Sequence, residues 1–327
     1  SALSEAEFAC ALAQLDAVAQ SLRERAALFA KDADAETLYA PDAGWHPHSQ
    51  PSFEIDGSTK NAQTSYGLLA GRDFHIIRKL RLYAQAFTGY QLATLEFADK
   101  RPWIARRLPD NVDEMLRLLA GKPDPAVLDY VSVARALPER LRARPPGKFG
   151  EIGWRIDGAI VNDDTHACLE RLCLMHENGL MDQLAARLDE KGMLTVIEIG
   201  GGYGGLACQL MGVFENRIRY AIIDIPESLA FSAVYLSVLF PDLANGFAAG
   251  KGRFALDEKP GFTFIPNYLH EMIEVSDEGV DLLINTLSLS EMSDAQIVDY
   301  ACAGGRLIGR RGLFFEQNHQ TDHTGPG

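Results

Sequence analysis

The residues able to do chemistry gather in the C-terminal half of the chain. Glu198-Ile199-Gly200-Gly201-Gly202-Tyr203-Gly204 sets a carboxylate just before a run of glycines. Glycine adopts torsions closed to other residues and leaves no side chain between backbone and ligand. A helix beginning after such a turn aims free N–H groups back at it. Asp224 stands twenty positions after Gly204, at the end of Arg219-Tyr220-Ala221-Ile222-Ile223-Asp224. There a doubly wound fold sets an acid on ribose hydroxyls. Two more polar runs are Pro266-Asn267-Tyr268-Leu269-His270-Glu271 and Asn285-Thr286-Leu287-Ser288-Leu289-Ser290-Glu291-Met292. Glu291 and His270 are the candidate general bases. Each residue also has a structural reading. Asp224 could cap the helix starting at Pro226, Glu291 could cap a helix entry, His270 could be a partly buried loop histidine, and Tyr203 could pack beneath the turn. For His166 and His176, on one helical stretch, a core or surface role is expected.

These residues need elements to hold them. Thr195–Ile199 is an apolar run ending in the glycines, and Gly204-Gly205-Leu206 opens a helical pattern: strand, turn, helix. Arg219–Asp224 is a second strand, followed by a helix with Pro226 at its first position and Phe231, Val234, Tyr235 and Val238 facing the sheet. Phe262–Ile265, Val280–Asn285 and Leu313–Phe315 read as three more strands, with a glycine-rich connection over 244–261. Ser293–Gln296 is a capping box for a helix running to Gly304-Gly305. Strands alternating with helices imply a parallel sheet covered on both faces, an α/β fold.

Upstream the pattern is helical. Ser4–Glu7 is a capping box opening a long helix through Leu12, Leu15 and Leu22. Residues 41–60 read as a loop or lid, and 61–100 as helical, with Ile76, Ile77, Leu80 and Tyr83 on one stripe. His46 and His48 flank a proline, but two histidines without a third ligand do not make a metal site. Arg144-Pro145-Pro146-Gly147 is the clearest boundary signal. It divides a helical cap or dimerisation region, 1–146, from a nucleotide-binding domain, 147–327. Beyond it, Trp154–Gly158 reads as a turn and Asn162–Thr165 opens a helix stopped by Gly179. Asn162, Asp163 and Tyr66 are lid candidates.

With 45 acids against 31 bases, the net charge of −14 disfavours nucleic acid as a partner. Arg101, Arg106 and Arg107 form the densest basic patch, and a solvated helix face accounts for it. Five cysteines with no C-x-x-C pair read as reduced thiols of a cytoplasmic protein. No apolar run of about 18 residues is present, so no membrane span is expected.

The glycine spacing is E-x-G-x-G-x-G rather than the G-x-G-x-x-G of NAD-binding folds. The chain thereby resembles the class I methyltransferases that use S-adenosylmethionine (SAM), over roughly its C-terminal half. The resemblance implies a Rossmann-like sheet and places Glu198, Gly200, Gly202, Tyr203, Gly204, Asp224, Asn285 and Ser288 around SAM. Asn-x-x-Ser-x-x-Glu-Met after Asp281–Asn285, with Asp224-Ile225-Pro226-Glu227 and Phe314-Phe315-Glu316-Gln317-Asn318, is similar to a family of sugar O-methyltransferases over about 160–318. That implies methyl transfer to a hydroxyl of a sugar or comparable small metabolite. Only nine residues follow Asn318, whereas class I folds add two further strands. The expectation is a truncated sheet or one completed by other segments. Two alternatives stay open: a lyase or cyclase that consumes SAM itself, such as one forming azetidine-2-carboxylate, and a non-catalytic SAM-binding subunit.

Overall fold

The computed structural model describes residues 3–41, 77–78, 80–83, 125–142, 147–151, 154–156, 159–250 and 252–318. Tyr66, the histidines at 46 and 48 and the arginines at 101, 106 and 107 lie outside the described residues. Helix α1 (Glu5–Phe29) begins with the Ser4/Glu7 capping box, and α2 (Ala33–Tyr39) is capped by Asp32. Ile77 and Leu80, on the apolar stripe, are fully buried. Helix α3 (Pro125–Ala136) starts at a proline, which suits a first helical position whose N–H has no partner. Trp154–Ile156 is not a turn: it is strand β1, paired antiparallel with β2 (Ala159–Val161).

Helix α4 (Asp163–Glu177) is opened by Asn162, whose side chain accepts from the Thr165 N–H while Thr165 Oγ1 accepts from the Asn162 N–H. Helix α5 (Leu180–Lys191) lies between left-handed glycines, Gly179 and Gly192. Then come β3 (Leu194–Ile199), α6 (Gly205–Val213), β4 (Ile218–Asp224), α7 (Pro226–Leu239), β5 (Ala244–Phe247), β6 (Phe254–Ala255), β7 (Gly261–Pro266), β8 (Ile273–Glu274), β9 (Val280–Thr286), α8 (Asp294–Leu307) and β10 (Ile308–Gln317). The 244–261 connection therefore contains an edge strand. Gly246 and Asn245 hide it in the sequence, while Phe247 packs on Phe264 at 5.4 Å between ring centres.

The main sheet runs β10-β9-β3-β4-β7-β5, and every neighbouring pair is parallel. This is the Rossmann-like α/β architecture. Side-chain parity splits the core. Val196, Tyr220, Ile222, Phe264 and Leu282 join the cluster that includes α1, α4, α5, α6 and α7. Ile197, Ile199, Ile223, Ile265 and Leu283 meet Tyr300 and Leu307 of α8 on the other face. Ala11, Leu15 and Val18 belong to the first cluster, so α1 is part of the sheet's own core. It lies along α7, and the buried Arg25 guanidinium bonds both carboxylate oxygens of Glu227, one at 2.9 Å. Among the described residues, no helix is long and apolar enough to cross a membrane.

Candidate functional site

From β3 the chain steps to β4 on one side, and later returns to place β9 on the other. At such a reversal the flanking connections part and leave a crevice beyond the C-terminal strand ends. A cavity of about 420 Å³ opens there. Small-molecule sites span roughly 300–1,000 Å³. Its walls are Gly200 and Gly202 of the bend, Asp224 and Ser228 after β4, Thr286 to Ser288 and Glu291 after β9, Tyr300 of α8, and Glu36 to Pro41 around α2.

The bend needs its glycines for two reasons. Gly200, Gly202 and Gly204 have φ of +75°, +55° and +88°, in the left-handed region. Side chains would also collide: a Cβ on Gly200 would overlap Ser288, and one on Gly204 would meet Leu236 Cδ1 at 2.8 Å. The Gly202 N–H donates to Asp224 Oδ2 at 3.1 Å, tying the bend to the carboxylate one strand over. Asp224 also accepts from the Ile225 N–H at 2.8 Å and the Ser228 hydroxyl at 2.7 Å. Burial pushes its carboxyl up to about 7, against those three hydrogen bonds, and the nearby Glu291 adds to the rise. A carboxylate has about four acceptor positions, so three internal bonds leave room for one ligand donor.

The rim after β9 is clipped to β3. Asn285 Nδ2 donates to the Ile199 carbonyl at 3.0 Å and to Ser288 Oγ at 2.6 Å, and Ser288 Oγ donates to the same carbonyl at 3.1 Å. Leu287 sits at φ +69°, a left-handed torsion uncommon for a branched side chain. Its N–H donates to the Gln317 carbonyl at 2.7 Å. Asn285 is thus a fully buried clip, whereas Ser288 reaches the cavity wall.

The structure separates the candidate residues. Gly200, Gly202, Asp224, Ser288 and Glu291 line the cavity together; Glu198, Tyr203, Gly204, Asn285 and His270 do not. Glu198 has the parity of Val196 and points to the α4–α7 face, where it accepts from Tyr220 Oη at 2.8 Å and burial raises its carboxyl to about 7. Tyr203 lies with Arg81 3.6 Å above its ring centre and Tyr235 edge-on at 5.4 Å. Arg81 in turn holds Glu151 and Asp164 at 2.6 and 3.0 Å. His270 is fully buried behind the wall, with Nδ1 2.7 Å from the Asn267 carbonyl, Nε2 3.0 Å from Asp299 Oδ2, and its ring on Tyr300. It does not face the cavity as a base would. Asn162 is no lid residue but a buried cap whose Nδ2 donates to Glu151. His166 and His176 are likewise absent from the cavity wall.

Sequence reasoning missed Tyr300, Gln296 and the whole α2 wall, and it singled out His270 rather than Asn267 in the run after β7. Gln296 and Tyr300 are four apart on one helix, the spacing that shares a face, which was the available signal. Gln296 Nε2 donates to the Leu38 carbonyl at 3.0 Å and Asn267 Nδ2 to that of Tyr39 at 3.0 Å, pinning the end of α2 at the cavity rim. The lining is acidic: Glu36, Asp224 and Glu291 contribute carboxylates, and no Lys, Arg or His lines it among the described residues. No cluster of three metal-ligating side chains occurs among the described residues.

No protein-family model matches the chain, and no curated protein matches it. Among solved structures, it is similar to a coclaurine N-methyltransferase bound to N-methylheliamine and SAH, at 14% identity and a TM-score of 0.28. That match covers 78% of this chain, which spans 62% of the enzyme's length.

Proposed function

We propose that the cavity binds SAM and that the protein transfers its methyl group to a hydroxyl of a small metabolite, a sugar or similar polyol. One observation carries the reading. The crevice at the strand-order reversal combines bare glycine backbone with three carboxylates and, among the described residues, no cationic side chain. A dinucleotide would bring two phosphate charges against those carboxylates, whereas a sulfonium brings a positive one. The E-x-G-x-G-x-G spacing supports the same choice. The residues present fit such a ligand: Asp224 keeps an acceptor position for a ribose hydroxyl, and Gly200 and Gly202 let its chain pass against backbone.

When bound, SAM supplies an electrophilic methyl group on a sulfonium. The chain's own tasks are then to align, to exclude water and to take a proton. Asp224 and the glycine bend fix the ligand's position, and alignment removes much of the entropic barrier. The α2 end and Tyr300 close two walls, which strengthens electrostatic interactions inside. Glu291, on the cavity wall, accepts the proton from the acceptor hydroxyl.

The test is incubation with SAM alone and then with a panel of sugars and polyols, with products identified by mass spectrometry. S-adenosylhomocysteine together with a methylated acceptor supports the proposal. Methylthioadenosine released without acceptor would replace it with a lyase or cyclase. Binding without turnover across the panel would make the protein a non-catalytic subunit.

A further inference from the structure

The glycine bend carries a single side chain, Tyr203, and it does not reach the main cavity. Its ring is 4% exposed and folds over the start of α6, where a Cβ on Gly205 would collide with the Tyr203 hydroxyl. Gly202 and Gly204, on either side, are left-handed. Glycine restrains its own torsions weakly, so the ring is the handle by which the rest of the protein can grip the bend. Gly202, next to it, donates to the Asp224 carboxylate at 3.1 Å.

The grip comes from the other half of the chain. Arg81, on the short helical segment Leu80–Tyr83, is 1% exposed and stacks its guanidinium 3.6 Å from the Tyr203 ring centre. The guanidinium is also held in its own plane. Nε donates to Glu151 Oε2 at 2.6 Å, and Nη2 donates to Glu151 Oε1 at 2.9 Å and to Asp164 Oδ2 at 3.0 Å. Asn162 Nδ2 braces Glu151 Oε1 at 2.6 Å, and the Arg81 N–H donates to the Phe149 carbonyl at 2.9 Å. A buried ion network adds little net stability over an apolar core of equal volume. It does add direction: a planar guanidinium with its donors fixed by two carboxylates presents one face to the ring.

We infer that Arg81 is a positioning residue for the cofactor: through the Tyr203 ring it holds the glycine bend in the form that receives SAM, without touching the ligand. This rests on the SAM reading above. It gives Tyr203 a role although it is turned from the cavity, and it makes the site depend on the N-terminal half. A ligand that binds one form of the bend has its apparent affinity reduced by the fraction of molecules in that form. Loosening the stack until about one bend in ten is ready weakens binding about tenfold, with no ligand contact removed.

The experiment is calorimetric titration with SAM of wild type, Tyr203→Leu, Tyr203→Phe, Arg81→Lys and the double variant Arg81→Lys/Tyr203→Leu, alongside urea unfolding of each. Tyr203→Leu leaves Arg81 bonded to Glu151 and Asp164, so its fold does not depend on disrupting the ion network. It is expected to weaken SAM binding about tenfold, while Tyr203→Phe, which keeps the ring, stays within about twofold. Arg81→Lys keeps the charge and loses the flat stack, so it is expected to lose roughly three- to tenfold. The double variant should bind no more weakly than Tyr203→Leu, because both changes remove one contact. Losses that add in the double variant would overturn the inference. So would a Tyr203→Leu protein with a lowered urea midpoint and wild-type SAM affinity, the result of a merely structural stack. Should Arg81→Lys not fold, Tyr203→Phe is compared with the same variant carrying a trifluorinated ring, whose face attracts a cation less. Weaker SAM binding by the fluorinated protein is expected, and equal binding overturns the inference. A wild type that binds no SAM contradicts the SAM reading itself, whereas a wild type that binds no better than Tyr203→Leu contradicts this inference alone.

Discussion

At the end of β4 burial holds the Asp224 carboxyl at about 7, against an ordinary value of 3.8. The folded state therefore binds this proton more tightly than the unfolded chain does. The stability it contributes is complete below about 3.8 and is lost as pH rises through about 7. A cationic ligand prefers the ionised form, so its affinity moves the other way and rises about tenfold between pH 6 and 8. Glu198 shifts in the same sense, so Asp224→Asn isolates the first contribution. In that variant, the affinity rise measured by calorimetry should shrink. Two other side chains separate chemistry from support. Glu291→Gln should cut turnover about 100-fold while nucleoside affinity stays within about threefold. His270→Gln should instead cost about 2 kcal/mol in urea unfolding and leave the pH profile of turnover unchanged, because the ring is packed in the wall. Asp224 was legible in the sequence because it ends a strand. His270 was misleading because a histidine at a strand edge does not disclose whether it faces the crevice or the core behind it.

At the scale of elements, the bend after β3 is the feature most sensitive to substitution. Gly200→Ala combines a left-handed torsion with a collision against Ser288 and should weaken S-adenosylhomocysteine binding by more than about 100-fold. Gly246→Ala, where a Cβ meets nothing within 4 Å, should leave it unchanged in the same titration. Strands β3, β4, β7, β9 and β10 were legible because each is an apolar run closed by polar residues. The edge strand β5 was not, since Asn245-Gly246 carries a turn signal that pairing with β7 overrides. Nor was the side of the sheet that Glu198 serves: alternation assigns it the parity of Val196, but only the placement of α4 to α7 decides what that face meets. The α2 wall depends on bonds from Gln296 and Asn267 to residues 258 and 228 positions away, which no local pattern encodes.

Across the whole molecule, the N-terminal helix is fastened to the sheet rather than merely apposed to it. Arg25→Met would remove the guanidinium that bonds both oxygens of the buried Glu227 carboxylate, at a cost of about 3–5 kcal/mol in denaturant unfolding. Adding Glu227→Gln should recover most of that loss; no recovery would mean that α1 is held chiefly by its apolar contacts. This fastening sets α2 beside the cavity and makes the site a product of both ends of the chain. The central claim is that the crevice at the strand-order reversal, beyond the ends of β9, β3 and β4, takes an adenosine-bearing sulfonium and not a dinucleotide. Side-by-side calorimetric titration of the protein with SAM and with NAD, repeated on Asp224→Ala, tests it most directly. The expected result is one-site binding of SAM that Asp224→Ala abolishes, with no heat from NAD; NAD binding, or SAM binding indifferent to Asp224→Ala, would contradict it.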